Sequence, residues 1–182
     1  MLGVLPLDVK ILDASYHDRM RDEVDELLEA WGSERPDLDL APVAVFSRVS
    51  RLARRLELAR RDAFAAHGME QWEFDVLAAL RRAGAPYELS PGRLLRETLV
   101  TSGTMTNRID KLSARGWVER YPDPDDRRGV IVRLTTEGRT AVDAAFAALL
   151  DAEHALLEAI PERDRARLAA LLRQLLAPFV DR

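Results

Sequence analysis

Small polar side chains crowd the stretch from Thr101 to Lys111, and two arginines follow at Arg127 and Arg128. On a helical wheel for residues 102–115, Met105, Ile109 and Leu112 fall together as a packing face. Thr104, Asn107 and Lys111 point the opposite way, with Thr106 on the flank. Hydroxyls and amides near a helix N-terminus, Ser102 among them, suit phosphates and base edges. The free N–H groups and the helix dipole there favour anions. Arg127 and Arg128 lie in the charged segment PDPDDRRG, between two runs of alternating apolar residues, which is the pattern of a hairpin tip. An arginine at such a tip can enter a minor groove, where the potential is most negative. Asp126 carries the wrong sign for DNA, so its expected part is to hold an arginine in place. A solvated helix face and a solvated loop tip explain each feature separately. Their adjacency favours a nucleic acid.

The elements that position these groups follow from periodicity. Met20, Val24, Leu27, Leu28 and Trp31 predict a helix over residues 14–31, ended by Gly32-Ser33 and Pro36. A second helix spans about 42–66, with Val45, Phe46, Val49 and Leu52 on one face and six arginines, from Arg48 to Arg61, on the other. Residues 70–82 are apolar almost all round and predict a buried helix. Ser90-Pro91 opens a short helix through Thr98, and Thr101-Ser102 caps the next, which reaches Arg115 before Gly116. Residues 117–121 and 130–134 read as paired strands. Thr135/Thr136 then caps a long helix to about Pro161, and a last helix runs over 162–179. Two short helices followed by a charged hairpin are the order of a winged helix-turn-helix, whose second helix enters the major groove. The expected fold is mainly α with a small β-hairpin, joined to a helical dimerisation region. Its expected divisions are an N-terminal extension at 1–41, dimerisation helices at 42–67 and 137–182, and a winged helix-turn-helix at 68–136.

With 182 residues the chain can bury an ordinary core. Its net charge of −4 is unevenly spread: −7 over residues 1–41, +4 over 42–67 and +4 over 81–139. Local charge, rather than the total, decides the partner. Zero cysteines exclude disulfides, thiolate zinc sites and thiol nucleophiles. No apolar run approaches the roughly 20 residues that span a bilayer, and the start lacks the pattern of a signal peptide. A cytoplasmic protein without a membrane partner is the expectation. His17, His67 and His154 share no ligand spacing, and no HExxH, GxGxxG, Walker loop or GxSxG occurs. No catalysis, metal or cofactor is expected.

The stretch TSGTMTNRIDKLSARGWVERYPDPDDRRGVIVRLTTEG resembles the winged helix-turn-helix of MarR-type bacterial regulators, and the helix order extends the likeness over about residues 42–180. The resemblance implies a homodimer that lays two recognition helices in successive major grooves of a palindromic operator, acts as a repressor, and leaves DNA when a small ligand binds. The additional helix with Trp31 is similar to the urate-responsive, PecS/HucR-like branch of the family. Four ligand-linked positions of that branch have counterparts in Trp31, in Asp75 within WEFDVL, in Arg108 within TNRID and in Arg120 within WVER.

The residues bear on these positions independently. A carboxylate at Asp75, in a helix with Phe74, Val76, Leu77 and Leu80 on its other faces, needs a cation, because an unpaired buried charge is very costly. Arg120 and Arg108 are the available partners. On the residues alone, such a pair fastens helix to wing more readily than it senses a ligand, and Trp31 reads as core. The resemblance at all four positions turns the reading toward a flat purine such as urate, stacked on Trp31, gripped by Arg108 and loosening an Asp75–Arg120 tie. A polycarboxylate such as aconitate or citrate, or a phenolic acid, is the alternative effector. A helical dimer that binds no DNA is the alternative of another class.

Overall fold

The computed structural model describes residues 21–98, 102–124 and 129–179. Helices and strands follow in the order α1 (Glu23–Glu34), α2 (Ala41–Ala65), α3 (Gln71–Arg82), β1 (Glu88–Leu89), α4 (Pro91–Thr98), α5 (Ser102–Ala114), β2 (Val118–Pro122), β3 (Val130–Leu134), α6 (Thr136–Leu157) and α7 (Glu162–Leu176), closed by a 3-10 turn at Ala177–Phe179. The chain divides into two compact units, Met1–Arg55 and Leu56–Arg182. Among the described residues no helix is long and apolar enough to cross a membrane.

In the first unit Asp22 opens α1 by accepting from the backbone N–H groups of Val24 and Asp25, and Asp25 returns the bond to the Asp22 N–H. This reciprocal arrangement satisfies donors that the first helical turn leaves free. The expected helix start at residue 14 lies outside the described residues, within which the helix begins at Glu23. Its end also differs from expectation. Gly32-Ser33 does not stop α1, because the Ser33 hydroxyl donates to the Glu29 carbonyl and the Arg35 N–H to that of Trp31. The stop comes where Pro36 disfavours a helical residue before it. Arg48 clamps Asp22 at 2.8 Å and Asp25 at 2.7 Å, tying α1 to the N-terminal half of α2. Trp31 stands half exposed.

The second unit holds a core made by Phe64, Val76, Leu77, Leu80, Leu94, Met105, Ile109, Leu112 and Val132, each no more than 2% exposed. The sheet is three-stranded and antiparallel, in the order β1-β3-β2, rather than a bare hairpin. Val118 pairs with Leu134 and Pro122 with Val130, while Glu88 and Leu89 pair with Arg133 and Val132. β1 escaped the sequence because two residues are too few to show an alternation.

The corner between the sheet and α6 is closely built. The Thr135 hydroxyl accepts from Gly138 N–H at 2.9 Å and donates to the Gly116 carbonyl at 2.8 Å. A Cβ on Gly138 would lie 2.0 Å from the Trp117 carbonyl oxygen, so this position admits no side chain.

Candidate nucleic-acid interface

Ser90 and Pro91 start α4 as the sequence requires, with the Ser90 hydroxyl accepting weakly from Arg93 N–H at 3.4 Å. α4 is followed by α5, and the polar and apolar faces of α5 separate cleanly. Met105, Ile109 and Leu112 are buried, whereas Thr104, Thr106, Asn107 and Lys111 are exposed. Ser102 is the first residue of α5. β2 and β3 form the wing, and Asp123 N–H donating to the Gly129 carbonyl at 3.0 Å closes the base of its loop. The tip residues Arg127 and Arg128, with Asp126, lie outside the described residues.

Arg120 joins wing to helix. From β2 its guanidinium pairs with Asp110 of α5 at 2.7 Å and donates to the Thr106 carbonyl at 3.2 Å. The polar residues of α5 are therefore fixed to the wing beside them. Arg133, on the neighbouring strand, is engaged within the sheet by Glu88 and by the Tyr121 hydroxyl at 3.0 Å. Hydrogen bonding from Tyr121, and then the Arg133 charge, holds the Glu88 carboxyl below its ordinary range. Burial beside that carboxylate pushes the Tyr121 phenol up.

The four ligand-linked positions are arranged differently from the expected tie. Asp75 is half-buried and accepts from the Gln71 side-chain amide at 3.0 Å, and among the described residues no ion pair to it forms. It lines a cleft of about 250 Å³ together with Phe74, Ala78, Arg82, Glu97 and Thr98. The expected Asp75–Arg120 pair is thus replaced by Arg120–Asp110. Arg108 is half-buried, and its guanidinium lies 5.5 Å from the centre of the Trp72 ring. Lys111, placed by the wheel on the opposite side from the packing face, also reaches this ring, at 5.8 Å. One indole therefore serves both cations. Trp31 belongs to the first unit.

The carboxylate that is buried in α3 is Glu73, 3% exposed, and the sequence reading missed it. It accepts from Glu70 N–H at 2.8 Å and from Arg115 at 2.9 Å. Its signal was available: an acidic residue at the third helical position commonly turns back to cap the helix N-terminus. Among the described residues no cluster of His, Asp and Glu could hold a metal ion.

Comparison with known proteins follows this geometry closely. A family model described as the MarR family matches residues 67–129, which run from just past α2 through α3, β1, α4, α5 and β2 and stop before β3. The HTH-type transcriptional regulator PecS of Dickeya dadantii is 35% identical over 150 residues, covering 82% of this chain and 90% of the relative. Wild-type MarR from Escherichia coli, in its apo crystal form, superposes with a TM-score of 0.63 at 26% identity, covering 72% of this chain and 96% of that one. A cysteine-to-serine variant of the same protein, crystallised with operator DNA, gives a TM-score of 0.61 at 25% identity over 80% of this chain and 97% of that one. Likeness of this extent, across nearly the whole of a relative and through both the helix pair and the wing, answers what the motif alone had only suggested: the chain belongs to the MarR family of winged helix-turn-helix transcription regulators, which are not enzymes.

Proposed function

We propose that this chain binds palindromic operator DNA as a homodimer, represses transcription from it in the cytoplasm, and releases it when a small anionic effector, urate or a related purine, binds. The observation that carries DNA binding is the division of α5. Its apolar residues are spent on the core, and Thr104, Thr106, Asn107 and Lys111 lie on its exposed side, with Asp110 held by Arg120. Those groups match phosphates and base edges. Ser102 at the head of α5, with Arg127 and Arg128 at the wing tip, completes the proposed contact set. The fold supplies the rigid mount such a set needs, and an operator complex is known for the E. coli relative.

A second chain accounts for the apolar surface left uncovered. Phe146, Leu150 and Leu156 on α6, and Leu171, Leu172, Leu175 and Leu176 on α7, are 37–62% exposed. On α2, Val45, Phe46, Val49 and Leu52 are exposed as well. Helices α2, α6 and α7 form the dimerisation region in this reading. A dimer sets two α5 helices about one turn of DNA apart, ~34 Å.

Trp31, Asp75, Arg108 and Arg120 are proposed as the effector-linked residues. Because Arg120 holds Asp110, an anion that draws Arg120 toward itself loosens the wing from α5, and one that draws Arg108 takes it off the Trp72 ring of α3. A coupling of about 1–3 kcal/mol, or about 5–150-fold in affinity, is the ordinary scale of such linkage. Gel shifts on the DNA flanking the gene, over a range of salt, test the first part: binding falls steeply with salt through counterion release. No shift at low ionic strength refutes it and favours a helical dimer without DNA. Urate, xanthine, citrate and salicylate, added in turn, identify the effector class.

A further inference from the structure

Arg115, the residue immediately after α5, engages three separate parts of the second unit at once. One terminal nitrogen donates to both carboxylate oxygens of Glu73 at 2.9 Å, and the other donates to the Gly68 carbonyl at 2.9 Å. Its guanidinium carbon lies 3.6 Å from the centre of the Trp117 ring. Four pieces therefore meet at one group: the end of the recognition helix, the turn before α3, the first turn of α3 and the root of the wing. Gly68 is at φ +61°, a conformation that glycine supplies without strain, which aims its carbonyl at the guanidinium. Glu73 is almost wholly buried, so removing Arg115 would leave a buried carboxylate without its cation.

We propose that Arg115, acting through Glu73 and Gly68, is a positioning residue that sets the pitch of α5 and so governs how well the protein separates its operator from other DNA. The inference rests on the DNA-binding reading above. A rod is fixed in direction by two separated ties. Arg120 supplies one along the body of α5, at Asp110 and Thr106, and Arg115 supplies the other at its end. With Arg115 lost, the helix turns about the remaining tie at Asp110, six residues and about 9 Å from Thr104 at 1.5 Å per residue. A pivot of about 5° there displaces Thr104 by about 0.8 Å. Hydrogen bonds to base edges tolerate only a few tenths of an ångström, whereas long, flexible cations still find phosphates. Loss of the anchor should therefore cost sequence discrimination and spare non-specific attachment.

The test uses the full-length protein and two labelled duplexes: a palindrome selected from a random pool by the wild-type chain, and the same bases scrambled. Anisotropy titrations across salt compare wild type, Arg115→Ala, Arg115→Lys and Glu73→Gln. For Arg115→Ala the expected loss is about tenfold or more on the palindrome, the size of one lost base contact. On the scrambled duplex it is less than about threefold, with an unchanged salt slope. Arg115→Lys restores part of the discrimination because its ammonium still reaches Glu73, and Glu73→Gln loses it in the same sense. Should Arg115→Ala fail to fold by circular dichroism, the lysine and glutamine variants decide alone. Variants that match wild type on both duplexes overturn the proposal. So does an equal loss on both with a shallower salt slope, which makes Arg115 a phosphate contact. A wild-type chain that selects no sequence overturns the DNA-binding reading and this inference with it.

Discussion

Arg120 on the first wing strand holds Asp110 of the recognition helix at 2.7 Å, and both side chains are partly open to solvent. An exposed ion pair of this kind contributes at most about 1 kcal/mol to folding. Its importance is geometric, since it joins the two elements that are proposed to touch DNA. Asp110→Ala should move the thermal midpoint by no more than a few degrees while weakening operator binding about tenfold. A melting curve and a gel shift on one preparation check both halves, and unchanged binding refutes the coupling.

Lys111 and Arg108 share the Trp72 ring but are assigned different tasks. Lys111→Ala should weaken binding to all DNA alike and reduce the salt slope by about one per protomer, the mark of a lost phosphate contact. Titrations at four salt concentrations read this directly. A loss confined to one sequence contradicts it.

Trp31→Ala and Arg108→Ala should retain operator binding and lose release by effector. The comparison is a gel shift with and without urate on wild type and each variant. Release that persists unchanged in both variants removes the four-residue effector model.

The clamp of Arg48 on Asp22 has a defined pH range. Hydrogen bonds from Arg48 lower the Asp22 pKa to about 2, below the ordinary aspartate value near ~3.9. A lowered folded-state pKa contributes stability that is fully present above the unfolded value and disappears as pH falls through the folded one. Hydrogen exchange of residues 24–34, corrected for intrinsic rates, should therefore be flat from pH 8 to about 4 and then increase toward pH 2. Arg48→Ala should remove the protection at pH 7. A rise in exchange between pH 5 and 7 in wild type contradicts this assignment.

Gly138→Ala should destabilise the second unit by about 1–3 kcal/mol, because the added methyl meets the Trp117 carbonyl and overpacking of a close corner costs that much. Urea unfolding measures it. A change under about 0.5 kcal/mol shows that the corner relaxes.

The helix pair and wing were legible because their patterns are sharp. Period 3.6 marked Met105, Ile109 and Leu112, all of which are buried, and period 2 placed β3 at residues 130–134. Asp75 and Glu73 were not separable on that basis. A helix that is apolar on nearly every side offers no single inward face, so the choice of buried carboxylate passes to the capping turn, which selects Glu73. Arg115 looked like the last residue before a terminating glycine. Its partners Glu73 and Gly68 lie 42 and 47 positions away, beyond any local pattern.

Gly138 leaves no space for a Cβ beside the Trp117 carbonyl, with the Leu134 side chain close by. Stem and finger therefore meet backbone to backbone at this corner, and a Cβ there would strike the Trp117 carbonyl. Evolution can retune what tilts the stem, but the joint itself leaves room for only one amino acid.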